Sequence, residues 1–382
     1  MKNITILGST GSIGLTTLDV IRSHRDEFNI VGLSGNSNYT LLAQQANEFK
    51  PGIIGIGDKD LVNPLRNLLS YKPEIITGED GLVSVVRNSN CDLLLNALVG
   101  AVGLLPTMEA LKLSINVALA NKETLVIGGE LVTELAKKNK VHLIPVDSEH
   151  NAIFQCLRGN GDREAKNITL TGSGGPLLNY PLKDFDKVTP KEALNHPTWG
   201  MGKKISIDSA TMVNKGLEII EARWFFGFST ETIDVVIHPQ SIVHGMVEFS
   251  DGSYLAMLGP TSMSVPIIYS LYYPDYAKTA PVDSLKSCRD LSLTFIEPDL
   301  KRYPALKTAR EVAKTLGTAP AVFNASNEIA VQAFLDGKIK FTQIIEVINK
   351  TLDKHKTVYS INLDVLLETD RWARATATNM IN

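Results

Sequence analysis

The sequence predicts an α/β chain: a parallel, doubly wound sheet domain first, a smaller α+β domain after it, and a C-terminal helical bundle. Three observations carry this. Short apolar runs alternate with helical periodicities through residues 1–146, a glycine-rich turn follows the first run, and residues 299–382 read as helices.

The chain has 382 residues and a net charge of −3. That length predicts two or three domains with ample core, and the near-neutral charge offers no basic field for nucleic acid or a membrane surface. Cys91, Cys156 and Cys288 are scattered without CxxC spacing. Neither a disulfide framework nor a zinc site is expected, which fits a reducing, cytoplasmic setting. The first apolar run begins at Ile4, leaving no room for a leader peptide, and the longest, 93–105, is broken by Asn96, Gly100 and Gly103 and falls short of a membrane span.

Taken in order, Asn3–Leu7 reads as a buried strand, Gly8-Ser9-Thr10-Gly11-Ser12-Ile13-Gly14 as a turn, and the residues to about His24 as a helix. Strand, glycine turn and helix together place backbone N–H groups where they hold a pyrophosphate, although the spacing is GxxGxxG rather than GxGxxG. Further strands are expected at 29–34, 52–57, 74–77, 91–98, 115–120 and 141–146, with helices between most of them. This is the Rossmann-like, dinucleotide-binding pattern. The segment Ser34-Gly35-Asn36-Ser37-Asn38 after the second strand has no acid to repel a 2′-phosphate, which favours NADP over NAD.

Lys122, within Asn121-Lys122-Glu123, and the pair Asp147 and Glu149 in Val146-Asp147-Ser148-Glu149-His150 stand at the ends of the sixth and seventh strands, where such sheets bind ligands. If the seventh strand runs on, Asp147 and Glu149 share one side with Ser148 opposite, and two hard carboxylates suit Mg²⁺ or Mn²⁺. A solvated turn is the plain alternative.

The central domain starts with a strand at 168–171 and the turn Gly172-Ser173-Gly174-Gly175-Pro176, whose amides and hydroxyl suit a phosphate or form a mere bend. Residues 195–204, with His196, Trp199, Met201 and Gly202, read as a lid. Residues 205–208 read as a strand entering a helix, with Ser209 ahead of it and Asn214, Lys215 and Glu218 on one helical face. Those groups resemble a site holding a phosphate at one end and a metal at the other; Glu221 and Arg223 read as a surface pair. Strands follow at 235–237, 242–249 and 253–258, the last two as a hairpin. A linker, 272–298, leads to helices at 305–316, 321–335, 342–355 and 363–376, in which Asn324, Asn327 and Glu328 either reach a site or cap and solvate.

GSTGSIG at 8–14, ANKE at 120–123, DSEH at 147–150, TGSGGP at 171–176, HPTWGMGKKISIDSATMVNKGLE at 196–218 and HPQSIVHGM at 238–246 together resemble the 1-deoxy-D-xylulose 5-phosphate reductoisomerases over the whole chain. The resemblance implies domains at 1–146 (NADPH), 147–271 (catalytic, with the lid) and 299–382, and a homodimer. It implies metal ligands at Asp147, Glu149 and Glu218, with Mg²⁺ or Mn²⁺ as the ion. Substrate contacts fall on Lys122, Ser148, Ser173, His196, Trp199, Ser209, Asn214, Lys215 and Glu218, and proton transfer on Lys122 and Glu149. NADPH contacts fall on Thr10, Gly11, Ser12, Ile13, Gly35, Asn36, Asn38, Asn121, Glu123 and Gly202. One departure is Ser37, where the family often has a base. The implied reaction turns a small phosphorylated sugar, 1-deoxy-D-xylulose 5-phosphate, into 2-C-methyl-D-erythritol 4-phosphate by retro-aldol and aldol steps and hydride reduction. Two other readings remain: a metal-independent NADP dehydrogenase of the homoserine or semialdehyde type, and a redox-sensing dinucleotide module.

Overall fold

The computed structural model describes every residue except Glu79, Pro281, Ser284, 286–290 and Asn382, so Cys288 lies outside the described residues. The chain forms two compact units, each assembled from separated segments. The first comprises Met1–Thr124, Val132–Ser148 and Ser262–Asp283; the second comprises Leu125–Leu131, Glu149–Thr261 and Ser284–Asn382.

In the first unit, strands β1 (Lys2–Leu7), β2 (Phe28–Gly35), β3 (Ile53–Ile56), β4 (Glu74–Ile76), β5 (Leu93–Asn96), β6 (Asn116–Leu119) and β7 (Leu143–Pro145) pair in parallel in the order β4-β3-β2-β1-β5-β6-β7. Helices α1 (Ser12–Arg22), α2 (Tyr39–Phe49), α3 (Val62–Leu68), α4 (Gly81–Asn88) and α5 (Leu104–Lys112) connect the first strands, and α6 (Lys122–Asn139) follows β6. Covered on both faces, β3 and β5 show no alternation: every residue of each is buried, and Asn96 is the one polar side chain among them. Strand order reverses between β1 and β5, which places a ligand crevice beyond Leu7 and Asn96.

The turn there follows from its glycines. Gly8 has φ +81°, and a Cβ on it would lie 2.6 Å from the Ala97 carbonyl oxygen. A Cβ on Gly14 would sit 2.4 Å from the Gly8 carbonyl oxygen, so the missing side chain lets α1 close onto the turn. The N-cap of α1, Gly11, supplies no side-chain cap, which leaves the first-turn amides to another acceptor.

In the second unit, β8 (Ala165–Gly172), β9 (Ile233–Ile237), β10 (Val243–Phe249) and β11 (Tyr254–Leu258) form a sheet in the order β11-β10-β8-β9. Strands β10 and β11 pair antiparallel around Gly252, at φ +81°, as the hairpin reading expected. Helices α7 (Ser148–Arg158), α8 (Pro190–Leu194), α9 (Lys203–Thr211) and α10 (Val213–Phe226) lie between β7 and β9, and α11 (Ser264–Tyr272) returns to the core of the first unit. The tail is helical as expected: α12 (Pro304–Thr315), α13 (Ala319–Leu335), α14 (Gln343–Asp353) and α15 (Leu363–Ile381). Gly216 lets α10 approach α12, since a Cβ there would meet Ala309 Cβ at 2.6 Å. Among the described residues, no helix is long and apolar enough to cross a membrane.

Three local expectations are corrected. Residues 205–208 are not a strand: they lie inside α9, which starts after Gly202 and ends where Met212 turns left-handed at φ 60°. Ser206 and Asp208 are as buried as Ile207, so the apparent polar alternation reports paired polar groups rather than a strand face. Ser209 accordingly sits inside α9 near its C-terminal end, ahead of α10 but not at that helix's N-cap, which is Met212. Finally, β7 stops at Pro145 and Ser148 opens α7, so strand alternation does not govern Asp147 and Glu149.

Candidate active site

Helices α7 and α10 of the second unit join Glu149 to Lys215 and Glu218. Lys215 Nζ donates to Glu149 Oε1 at 2.7 Å and also to Glu218 Oε2, and Asn214 Nδ2 donates to Glu218 Oε1. Spacings of three and four along α10 put Asn214, Lys215 and Glu218 together, as expected. Both Lys215 and Glu218 are fully enclosed, at 2% and 0% exposure. Burial alone would lower the Lys215 pKa, but the charges and hydrogen bonds of Glu149 and Glu218 outweigh it and hold the ammonium above its ordinary value. The two carboxylates present oxygens within 4.8 Å of each other, a separation one divalent cation spans. Hard oxygen donors fit Mg²⁺ or Mn²⁺ and not a thiophilic metal.

Two neighbours of this cluster, His150 and Glu221, were not placed in the site from sequence. His150, fully buried, reaches the Glu218 carbonyl oxygen through Nε2 at 2.9 Å and so fixes α10 against α7. Its Nδ1 lies 3.9 Å from Glu221 Oε2. Glu221 is 2% exposed, which corrects its reading as half of a surface pair. The signal available in sequence was the histidine that completes DSEH, directly after Glu149.

Gly172, at the end of β8, makes room for the Lys215 stem: a Cβ there would lie 3.1 Å from Lys215 Cε. The turn that follows is held by polar contacts. His196 Nδ1 accepts the Trp199 backbone N–H at 3.0 Å, so the ring is neutral with its proton on Nε2, which donates to Ser173 Oγ at 3.0 Å. Ser173 Oγ also accepts the Gly175 N–H at 3.1 Å, which leaves its own hydroxyl proton to donate to a ligand oxygen. Gly175, at φ +68°, lies against Ser209, whose carbonyl oxygen would be 2.7 Å from a Cβ. Tyr303 closes the back, its buried hydroxyl donating to the Gly174 carbonyl oxygen at 2.8 Å. Trp199, half-buried, sets its indole 6.3 Å from the His244 ring, whereas Gly200 and Gly202 have open space around them.

Burial holds the His196 pKa below its ordinary 6.5. Because the folded state favours the neutral ring, the stability this residue contributes is complete above pH 6.5 and drains as the pH falls below it. A proton NMR titration of the His196 ring is expected to give a midpoint under 6.5; a higher one would mean that the fold holds the imidazolium.

In the first unit Lys122, the first residue of α6, is buried and pairs with Asp147 Oδ2 at 2.8 Å. Ser148 is also buried. The Asn121 side chain caps α6 by accepting the Thr124 N–H at 3.1 Å, and it donates to the Leu98 and Gly100 carbonyl oxygens and to Glu123 Oε2, each at 3.0 Å. Asn121 and Glu123 thus form a buried strut behind the crevice. Beyond β2, Gly35 is buried, whereas Asn36 and Asn38 are exposed, the latter capping α2 through the Leu41 N–H at 3.2 Å. Thr10 and Ile13 are half-buried, and Gly11 and Ser12 are exposed along the same turn.

Three family models match: 1-deoxy-D-xylulose 5-phosphate reductoisomerase over residues 4–129, the C-terminal domain of that enzyme over 143–226, and the DXP reductoisomerase C-terminal domain over 258–376. The chain belongs to the 1-deoxy-D-xylulose 5-phosphate reductoisomerase family. Among curated members, it is 50% identical over 382 residues to the one from Pelodictyon phaeoclathratiforme, with both chains covered in full. The member from Chlorobaculum tepidum is 47% identical over the same length. A solved reductoisomerase from Zymomonas mobilis in complex with NADPH superposes with a TM-score of 0.92 at 40% identity, covering 100% of this chain and 99% of that one. Another, in complex with NADPH, fosmidomycin and magnesium, gives 0.92 at 39% identity, covering 100% and 98%. The family's α/β fold with a helical C-terminal region is thus this chain's fold.

Proposed function

We propose that this chain reduces and isomerises 1-deoxy-D-xylulose 5-phosphate to 2-C-methyl-D-erythritol 4-phosphate, using NADPH and Mg²⁺ or Mn²⁺. The observation that carries the reading is the Glu149–Lys215–Glu218 cluster set beside the 172–176 turn, charge for a cation next to donors for a phosphate. Residues 1–146 serve as the NADPH domain, 147–271 as the catalytic domain with a lid at 195–204, 272–298 as a linker and 299–382 as the helical domain.

Asp147, Glu149 and Glu218 are the metal ligands in this reading. Asp147 is two residues from Glu149, a short reach along the chain. The cation, when bound, supplies Lewis-acid stabilisation of negative charge on substrate oxygen. The protein's own groups do the rest. Lys215 and Asn214 fix the Glu218 carboxylate and then meet substrate hydroxyls, as does Ser148. Ser173, Ser209 and His196 hold the phosphate, with the Ser173 proton available to a phosphate oxygen. Trp199 and its lid exclude water from the reacting carbons. Glu149 and Lys122 move protons. Thr10, Gly11, Ser12 and Ile13 take the pyrophosphate at the α1 N-terminus, Gly35, Asn36 and Asn38 face the adenosine ribose, and Asn121, Glu123 and Gly202 complete the dinucleotide site. The relatives solved with NADPH and magnesium support both cofactors, and fosmidomycin bound to one supports an anionic, phosphate-like ligand.

A cytoplasmic homodimer completes the proposal. Tyr254 and Leu258 are exposed on β11, a sheet edge, and Leu291, Leu293, Phe295 and Ile296 are exposed in one short segment, surface that a second copy would cover. Cys91 and Cys156 are free, buried thiols, in keeping with a reducing compartment.

Following NADPH oxidation with 1-deoxy-D-xylulose 5-phosphate tests the reading. Turnover is expected with either metal and none after EDTA. Activity that survives EDTA would instead favour a metal-independent dehydrogenase of the homoserine type, which has no use for a buried Glu218.

A further inference from the structure

We propose that Asp208 and Asn327 form a positioning pair that fixes helix α9 between the 195–202 segment and the phosphate turn. The proposal rests on the reductoisomerase reading for its substrate, but not for its mechanics.

Helix α9 touches both features at its ends. At the start, the Gly202 carbonyl oxygen accepts the Ser206 N–H and the Ser206 hydroxyl, both at 3.0 Å, which ties the last residue of the 195–202 segment to the first turn. At the finish, the Ser209 carbonyl lies against Gly175, two residues from Ser173. Asp208 sits between them at 1% exposure. Its Oδ2 takes Lys204 Nζ at 3.0 Å, which braces the first turn, and its Oδ1 accepts Asn327 Nδ2 from α13 at 2.8 Å.

Asn327 is an expensive residue for its place. It is fully buried, and its own Oδ1 has no hydrogen-bond partner, a cost that an apolar side chain of the same size would not carry. Turning the amide over would set its oxygen against a carboxylate oxygen, so the orientation is dictated by Asp208. What the amide supplies is a donor that fixes the angle of a buried carboxylate, and through Lys204 the pitch of α9. The adjacent Asn324 instead donates to Glu328 at 2.9 Å, within α13 itself. Asn327 is therefore a link from the C-terminal helices to the helix that carries Ser209.

The test compares Asn327→Leu, Asp208→Ala and the swap Asp208→Asn with Asn327→Asp, which rebuilds one donor–acceptor bond in the reverse sense. Three quantities are read: the melting temperature, the rate of trypsin cleavage after Lys203 and Lys204 in the ligand-free protein relative to cleavage elsewhere, and KM against kcat for 1-deoxy-D-xylulose 5-phosphate. Asn327→Leu is expected to raise that local cleavage and the KM each about tenfold, with kcat within about twofold, as the loss of one charge-assisted hydrogen bond implies. The swap is expected to bring both back toward wild type. Cleavage that speeds equally at every site in step with melting temperature, or Asn327→Leu with unchanged local cleavage and KM, overturns the proposal. If Asp208→Ala fails to fold, the Asn327→Leu and swap comparison still decides. A wild-type chain that ignores this substrate defeats the functional reading while leaving the cleavage comparison intact.

Discussion

Glu218→Gln is expected to cut turnover by about a hundredfold to a thousandfold, as the loss of a preorganised charge in a closed site does. The amide keeps the shape, and one of its atoms can still accept from Asn214 or Lys215. It removes the negative charge that a cation would need and leaves Glu149 as the sole carboxylate touching Lys215. Kinetics over a Mg²⁺ titration, paired with calorimetric Mg²⁺ binding, would check this. The metal requirement should rise along with the fall in kcat. Full turnover with unaltered Mg²⁺ affinity would remove Glu218 from the site.

Lys215→Met is expected to destabilise the metal-free protein by about 3–5 kcal/mol, the range seen when one partner of a buried ion pair is removed. Methionine matches the apolar stem that passes Gly172 but leaves Glu149 and the fully buried Glu218 facing each other without a cation. Added Mg²⁺ should therefore restore part of the melting temperature in Lys215→Met and act much less on wild type. Equal Mg²⁺ responses in the two proteins would mean that ammonium and metal do not share the same two carboxylates.

Much of the fold was legible because the physics was local. In the first unit β3 and β5 are short, fully buried and apolar but for Asn96, so their positions emerged from the runs Ile53–Ile56 and Leu93–Asn96. Gly8 and Gly14 announced the turn because nothing larger fits there. The i, i+3 and i, i+4 relation of Asn214, Lys215 and Glu218 was likewise readable from helical geometry. The errors arose where polar groups are buried by distant partners. Asp208 read as part of a strand, since Asn327, its donor, is over a hundred residues away. Glu221 looked like surface because His150 lies on a different helix. Glu149 joins Lys215 across 66 positions, and only the family resemblance linked them in advance.

Helix α11 sends Ile267, Ile268 and Leu271 into the core beneath the first sheet, although the strands of that sheet all come from the first 145 residues. A nascent chain therefore presents the first sheet at the ribosome with one of its covering helices still unsynthesised. The sheet cannot be sealed until most of the second unit has emerged, so neither unit corresponds to a contiguous fragment that could be cloned alone, and a ribosome stalled near residue 250 would present an open, apolar sheet face to chaperones.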